Sequence, residues 1–177
     1  MTRRIHMSQA ALNKITYGLF VTGVQDTNWY GGNIIDAFMQ VTVEPATVMY
    51  CAMNKNRTTE IIREKGEFTV SALPADVNPF IISNFGFQSS RKTDKWANVP
   101  YEVVDGLPVL KDAAAYYRCK MIDARDMHTH TLFFCEVVDA WLGEKDALVY
   151  ADYQKSMKQE AAASFMAFQK THISPVL

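Results

Sequence analysis

Cysteine is scarce and forms no ligand pattern: Cys51, Cys119 and Cys135 lie far apart, each inside a strand-like apolar run. Without a CxxC pair, zinc ribbons, rubredoxin-type iron sites and dithiol redox motifs are disfavoured, and the thiols read as reduced residues packed in a core. The eight glycines make neither GxGxxG nor GxxxxGK[ST], so a Rossmann fingerprint and a P-loop are both missing. There is no GxSxG elbow either. No run approaches the ~18–20 apolar residues that span a bilayer. The basic start, Thr2-Arg3-Arg4, lacks the apolar stretch of a secretion signal. A net charge of −1 and a pI near 6.4 give no general drive toward nucleic acid or anionic membrane. The expectation is a soluble, cytoplasmic protein with neither as a partner.

Histidine offers one close pair, His128-x-His130, beside the isolated His6 and His172. On a strand the pair would share a face. No neighbouring Glu, Asp or Cys completes a ligand set of recognisable spacing, so no metal site is expected.

What is present is ordinary globular material: 177 residues, 49% hydrophobic and 21% charged, long enough for one real core. A single domain over 1–177 is expected, its core at roughly 10–155 and a C-terminal helix at 156–170. Ser8 reads as the N-cap of a helix Gln9–Tyr17 stopped by Gly18. Strands are expected at Leu19–Val24, from Gly32, and at Phe38–Val43, Thr47–Ala52 and Phe68–Leu73. Further strands are expected at Tyr101–Val104, Tyr116–Ala124, Thr131–Leu142 and Ala147–Tyr150. An amphipathic helix Thr58–Lys65 closes at Gly66, a short helix Asp76–Asn84 is broken by Pro79, and Phe85–Trp96 forms a long polar loop. Many strands and few helices point to a mainly β fold, a closed β-barrel with peripheral helices.

The most informative stretch is Asn33–Thr58. The strand Thr47–Ala52 ends in the polar cluster Asn54-Lys55-Asn56-Arg57-Thr58, directly before a helix. Unpaired backbone N–H groups and the helix dipole make such a turn a phosphate seat. The plain alternative is a capped turn with Asn56 or Thr58 as N-cap. Two other stretches favour the seat. Asp36–Thr42 supplies small and polar residues just upstream, and the loop 85–96 adds Ser89, Ser90, Arg91 and Lys95 between aromatics. Brought together by a barrel, the three would make an anionic-ligand site with a polar groove.

The chain resembles the flavin reductase-like, FMN-binding split-barrel family, and most closely its branch of flavoredoxins and the flavin domains of high-molecular-weight rubredoxins. The resemblance rests on Leu12–Thr22 (LNKITYGLFVT), Met39–Pro45 (MQVTVEP), Asn54-Lys55-Asn56-x-Thr58 and Phe68–Leu73. It continues through Pro79–Trp96 (PFIISNFGFQSSRKTDKW), Gly106–Leu110 (GLPVL), Thr129–Phe133 (THTLF) and Glu136–Ala140 (EVVDA). It implies FMN held non-covalently at a homodimer interface, with the phosphate at Asn54, Lys55, Asn56 and Thr58. Ribityl and ring edges would meet Asp36, Ala37, Phe38, Met39, Gln40, Val41 and Thr42. Phe87, Ser89, Ser90, Arg91 and Lys95 would add loop contacts to the phosphate or to the nicotinamide cofactor. His130 is the residue expected nearest the reacting rings, as the catalytic position. Two departures stand out: Asp36 where relatives usually have Asn, and Cys135 where they often have Gly, a side chain expected to narrow the approach to the flavin.

The implied activity is that of an NAD(P)H-dependent flavin reductase passing hydride from nicotinamide to flavin, with FMN as cofactor and NAD(P)H as transient co-substrate. No downstream CxxC pairs follow, so the electron acceptor is expected to be a separate molecule, free flavin or another redox protein. The alternative is a non-enzymatic FMN electron carrier with no nicotinamide site, and a flavin-free β-barrel binder is a third reading. Trp29, Tyr30, Phe165 and Phe168 are candidates for the subunit interface or for packing on their own chain.

Overall fold

Alternation along one strand organises the molecule. In β4 (Thr47–Met53), Val48, Tyr50 and Ala52 are buried, whereas Thr47, Met49 and Cys51 are half-buried. That is the period of two that a pleated strand imposes. The computed structural model describes residues 8–172, so His6 and the basic start lie outside the described residues. Around β4 are β1 (Phe20–Gln25), β2 (Tyr30–Ile35), β3 (Phe38–Thr42), β5 (Glu67–Ala72), β8 (Ala115–Met127) and β9 (His130–Leu142). They form one antiparallel sheet in the order β2-β1-β5-β8-β9-β4-β3.

Strands β2 and β3 are consecutive in the chain but stand at opposite ends of that order. The sheet therefore curls until the short Asp36-Ala37 link joins its two edges, with no ladder between them. The barrel is split, not closed. Its interior holds Val24, Tyr50, Phe68, Val70, Cys119, Phe133 and Cys135. Each large apolar side chain buried there contributes roughly 1.5–3 kcal/mol. The fully buried Tyr50 places its hydroxyl 3.0 Å from Thr22 Oγ1 and 3.4 Å from Asn33 Oδ1, which satisfies its polar end.

Helix α2 (Arg57–Lys65) buries Thr58, Thr59, Ile61 and Ile62 and ends at Gly66, whose φ of 72° lies in the left-handed region that glycine alone enters freely. Several expectations are corrected. The first helix, α1, covers only Gln9–Leu12. Ser8 makes no capping bond, and Leu12 and Ile15 remain exposed, so no apolar burial extends the helix. Pro79 starts α3 (Pro79–Gly86) instead of breaking a helix. At the first helical position its missing N–H costs nothing, and Asn78 Oδ1 accepts from Phe80 N at 3.0 Å. Phe85 and Gly86 thus belong to a helix, and a 3₁₀ turn, Trp96–Asn98, closes the loop.

Strands β6 (Tyr101–Val104) and β7 (Leu107–Leu110) form a separate hairpin. The expected strand Ala147–Tyr150 is reduced to two isolated bridges, Ala147 to Pro74 and Val149 to Gly18. The C-terminal run comprises α4 (Tyr150–Asp152), a π-turn Tyr153–Met157 and α5 (Lys158–His172). Phe165 packs edge-on to Phe87, and Phe168 lies 5.0 Å from Phe80, so both serve their own chain. Trp29 donates to the Ser90 carbonyl and Tyr30 packs on Tyr101, again within the chain.

Candidate functional site

Where β4 gives way to α2, the chain leaves donors without partners. Asn56 is the N-cap in extended conformation, yet its side chain makes no capping bond. Thr59 N and Glu60 N reach back to the Asn56 carbonyl at 3.1 and 3.4 Å. The N–H groups of Arg57 and Thr58 have no carbonyl one turn earlier to accept them. Thr58 is 1% exposed, and its Oγ1 has no hydrogen-bond partner among the described residues. Leaving such a hydroxyl unmet costs about 1–3 kcal/mol. Lys55 is exposed beside it and joins none of the ion pairs among the described residues.

Lys55, Asn56, Arg57 and Thr58 line a cleft of about 500 Å³. Its floor is the β2 segment Gly32–Ile34, and its far wall is the segment 85–90 with Lys95. Two buried side chains hold that wall in place. Ser90 Oγ accepts from Gly32 N at 3.0 Å and donates to Gly32 O at 2.7 Å. Lys95, only 2% exposed, donates from Nζ to the carbonyls of Gly32 and Phe85, both at 2.9 Å. Burial lowers the Lys95 pKa to about 8. Two of its three N–H donors are thereby used. A Cβ at Gly32 would come within 2.6 Å of the Phe85 ring and 2.8 Å of the Trp96 indole nitrogen, so glycine permits this close approach. Phe87 is half-exposed at the rim, and Ser89 lies beside it with Oγ accepting from Arg91 N at 3.3 Å.

The cleft thus brings together Lys55, Asn56, Thr58, Phe87, Ser89, Ser90 and Lys95. Arg91 lies next door. Its guanidinium pairs with Glu60 over a separate polar hollow of about 280 Å³ that shares Arg57 and Ser90 with the main cleft. The Arg91 guanidinium, followed by that of Arg57, holds the Glu60 carboxyl below its ordinary range. Arg57 also grips Asp26 by two bonds, of 2.8 and 2.6 Å, which lower the Asp26 pKa. Arg57 and Asn33 border the cleft without having been singled out by the sequence. Arg57 stood inside the polar cluster and could have been flagged there, whereas Asn33 gives no signal of its own.

The segment Asp36–Thr42 stands apart from the cleft. Phe38 packs on Phe20 and Tyr117, and with Met39 and Gln40 it borders an apolar hollow of about 370 Å³. Gln40 pairs with Val48, five residues before Met53, and so lies roughly 17 Å along the strand from the turn. Its amide donates to the Thr42 carbonyl, and Val41 is exposed on the edge strand. Ala37 O accepts from Cys51 N at 2.9 Å. Asp36 comes closest, two residues beyond Ile34, facing a third hollow it shares with Tyr17 and Tyr150.

Asn54 serves the β8–β9 hairpin instead of facing the cleft. Its amide donates to His128 O at 3.1 Å, its Oδ1 accepts from Thr131 Oγ1 at 2.6 Å, and its backbone N bonds to Thr129 O. His130 pairs directly with Met53, a cleft residue, and so shares its face of the sheet. His128 occupies the hairpin turn with φ of 55°, so the strand alternation expected for the two histidines does not apply. Cys135 is fully buried opposite Val48, its thiol pushed up to about 12 by burial. It faces the core and narrows nothing at the cleft.

A model of the flavin reductase like domain matches residues 12–159. The chain belongs to this family. Among its relatives is a "Ferric-chelate reductase (NAD(P)H)" of Archaeoglobus fulgidus, 34% identical over 155 residues, covering 86% of this chain and 92% of the relative. A "High molecular weight rubredoxin" of Moorella thermoacetica is 32% identical over 152 residues, covering 84% of this chain and 66% of that protein. Among solved structures, the flavin reductase PheA2 superposes with a TM-score of 0.69 at 29% identity, covering 81% of this chain and 93% of that one. For a member of the flavin reductase like family, the cleft is the place to ask whether a phosphorylated ring system fits. The uncapped helix, the unmet Thr58 hydroxyl and the Lys55 charge fit a phosphate. Ile34, Met53 and Phe87 supply apolar surface beyond it.

Proposed function

We propose that this chain is an NAD(P)H-dependent flavin reductase that holds FMN by its phosphate at the Lys55–Thr58 turn. One observation carries the reading: the buried Thr58 Oγ1, without a partner among the described residues, at a helix start that the Asn56 side chain does not cap. Membership of a family with reductase relatives supports the redox part of it. When bound, FMN supplies the two-electron acceptor for nicotinamide hydride and passes electrons onward.

The residues divide the remaining work. Thr58 donates its hydroxyl proton, the α2 N-terminus adds N–H donors and dipole, and Lys55 adds charge. Lys95, in the far wall, keeps a third N–H donor and adds a further positive charge there. Ile34 and Met53 exclude water beyond the phosphate. His130, on the face of Met53, is the side chain best placed to meet the nicotinamide.

A second copy of the chain completes the assembly in this proposal. Met39, Met49 and Phe134 are directly paired across β3, β4 and β9, so they form one apolar strip on the outer face of the barrel. Met39 is 56% exposed there. A homodimer would cover that strip and wall the open side of the split.

The test is anaerobic mixing of the protein, FMN and NADH or NADPH while the yellow flavin absorbance is followed. Bleaching far faster than in protein-free controls supports the reading. Equal rates with both nicotinamides and with no protein contradict it.

A further inference from the structure

Glu60 sits on the first turn of α2, two residues beyond Thr58, and its carboxylate is shared between two guanidiniums. Oε2 accepts from Arg57 at 3.2 Å, and Oε1 accepts from Arg91. Both arginines border the polar hollow of about 280 Å³ that abuts the main cleft across Arg57 and Ser90. A ligand ending at the phosphate held by Thr58 stays within the main cleft. For a ligand with a second phosphate and a nucleoside, the next polar hollow is the one across this shared wall. Guanidiniums are the groups such a phosphate would use, but neither is free: Asp26 holds Arg57 by two bonds, and Glu60 holds Arg91.

We propose that Glu60 is a specificity-determining residue that admits the flavin mononucleotide and rejects the dinucleotide, by occupying Arg91 and so withholding its guanidinium from the second phosphate. This rests on the FMN reading above and deepens it. The discrimination is an attraction left unmade, because the guanidinium a second phosphate would need is already paired. Because the Glu60 side chain is 42% exposed, solvent and salt screen the effect, which sets its size at about tenfold and makes it shrink as salt is raised.

Dissociation constants for FMN and FAD, from quenching of flavin fluorescence, test this in three proteins: the parent, Glu60→Gln, and Glu60→Gln with Arg91→Gln. The parent should bind FMN more tightly than FAD. Glu60→Gln, isosteric and neutral, should reduce the FAD-to-FMN ratio of dissociation constants about tenfold, and the double variant should lose that gain. A ratio unmoved by Glu60→Gln, or a gain that survives Arg91→Gln, overturns the proposal while leaving FMN binding standing. A parent protein that binds no flavin removes the FMN reading and this proposal together.

Discussion

Asn54 Oδ1 accepts a 2.6 Å hydrogen bond from the Thr131 hydroxyl, while its amide donates to the His128 carbonyl. One side chain therefore fastens the start of the phosphate-type turn to the hairpin that carries His130. Thr131 is fully buried and also meets Arg63 and Asp126, so the link belongs to a network that pins α2 to β9. Cutting it should loosen turn and hairpin together. Asn54→Ala is expected to lower unfolding free energy by about 1–2 kcal/mol and to weaken flavin binding as well. Urea denaturation and a flavin titration on the same variant check the two effects. A loss of stability without any loss of affinity would show that the hairpin does not position the turn.

Thr58→Val keeps the side-chain shape and deletes a hydroxyl that has no partner among the described residues. Stability without ligand should be unchanged or rise by about 1 kcal/mol, since an unmet buried polar group disappears. FMN affinity should fall about tenfold, the worth of one hydrogen bond to a charged group. Thermal melts with and without FMN give both numbers. A clear destabilisation of the ligand-free protein would mean that the hydroxyl has an internal role.

Lys95 supplies a pH signature. Burial depresses its pKa from 10.5 to about 8. Between those values the unfolded chain binds the extra proton and the folded chain does not, so stability should rise with pH across that window. Below about 8 both states are protonated and the cost of the buried charge is fully present. An anionic ligand selects the charged form, so FMN affinity should fall as pH passes above 8. Lys95→Met should flatten the second trend. Titrations between pH 6.5 and 9.5 follow it, and an affinity that is level through 8 in the parent would exclude Lys95 as a phosphate partner.

The apolar strip of Met39, Met49 and Phe134 predicts an assembly of about twice the 20.0 kDa chain mass. Met49→Asp places a charge in its middle and should return the protein to a single chain, as measured by light scattering. A parent protein already of single-chain mass would contradict the interface.

How much was legible in the sequence follows from how local each signal is. The β4–α2 junction was readable because its determinants are neighbours: alternation up to Ala52, a polar cluster, then Ile61 and Ile62, and a glycine stop at Gly66. The start of α3 was misread because Pro79 signals a break in the middle of a helix but fits at its beginning. Strand β7 was missed because Pro108 lies within it. Proline is tolerated there since β7 pairs with β6 alone, and the Pro108 carbonyl accepts from Thr69 instead. The site residues divided along the same line. Lys55, Asn56 and Thr58 share one turn and could be grouped by eye. The separation of Asp36–Thr42 from the cleft depends on the β3–β4 register, and the burial of Lys95 depends on how its loop folds onto Gly32. Neither is encoded in any short window.

The account stands or falls on the phosphate. FMN and riboflavin carry the same ring and ribityl chain and differ only in that group, so calorimetric titration with each isolates the Lys55–Thr58 turn. Binding of FMN at least about 100-fold tighter than riboflavin, some 2.7 kcal/mol, is the predicted result. Equal affinity for the two, or binding of neither, would contradict it.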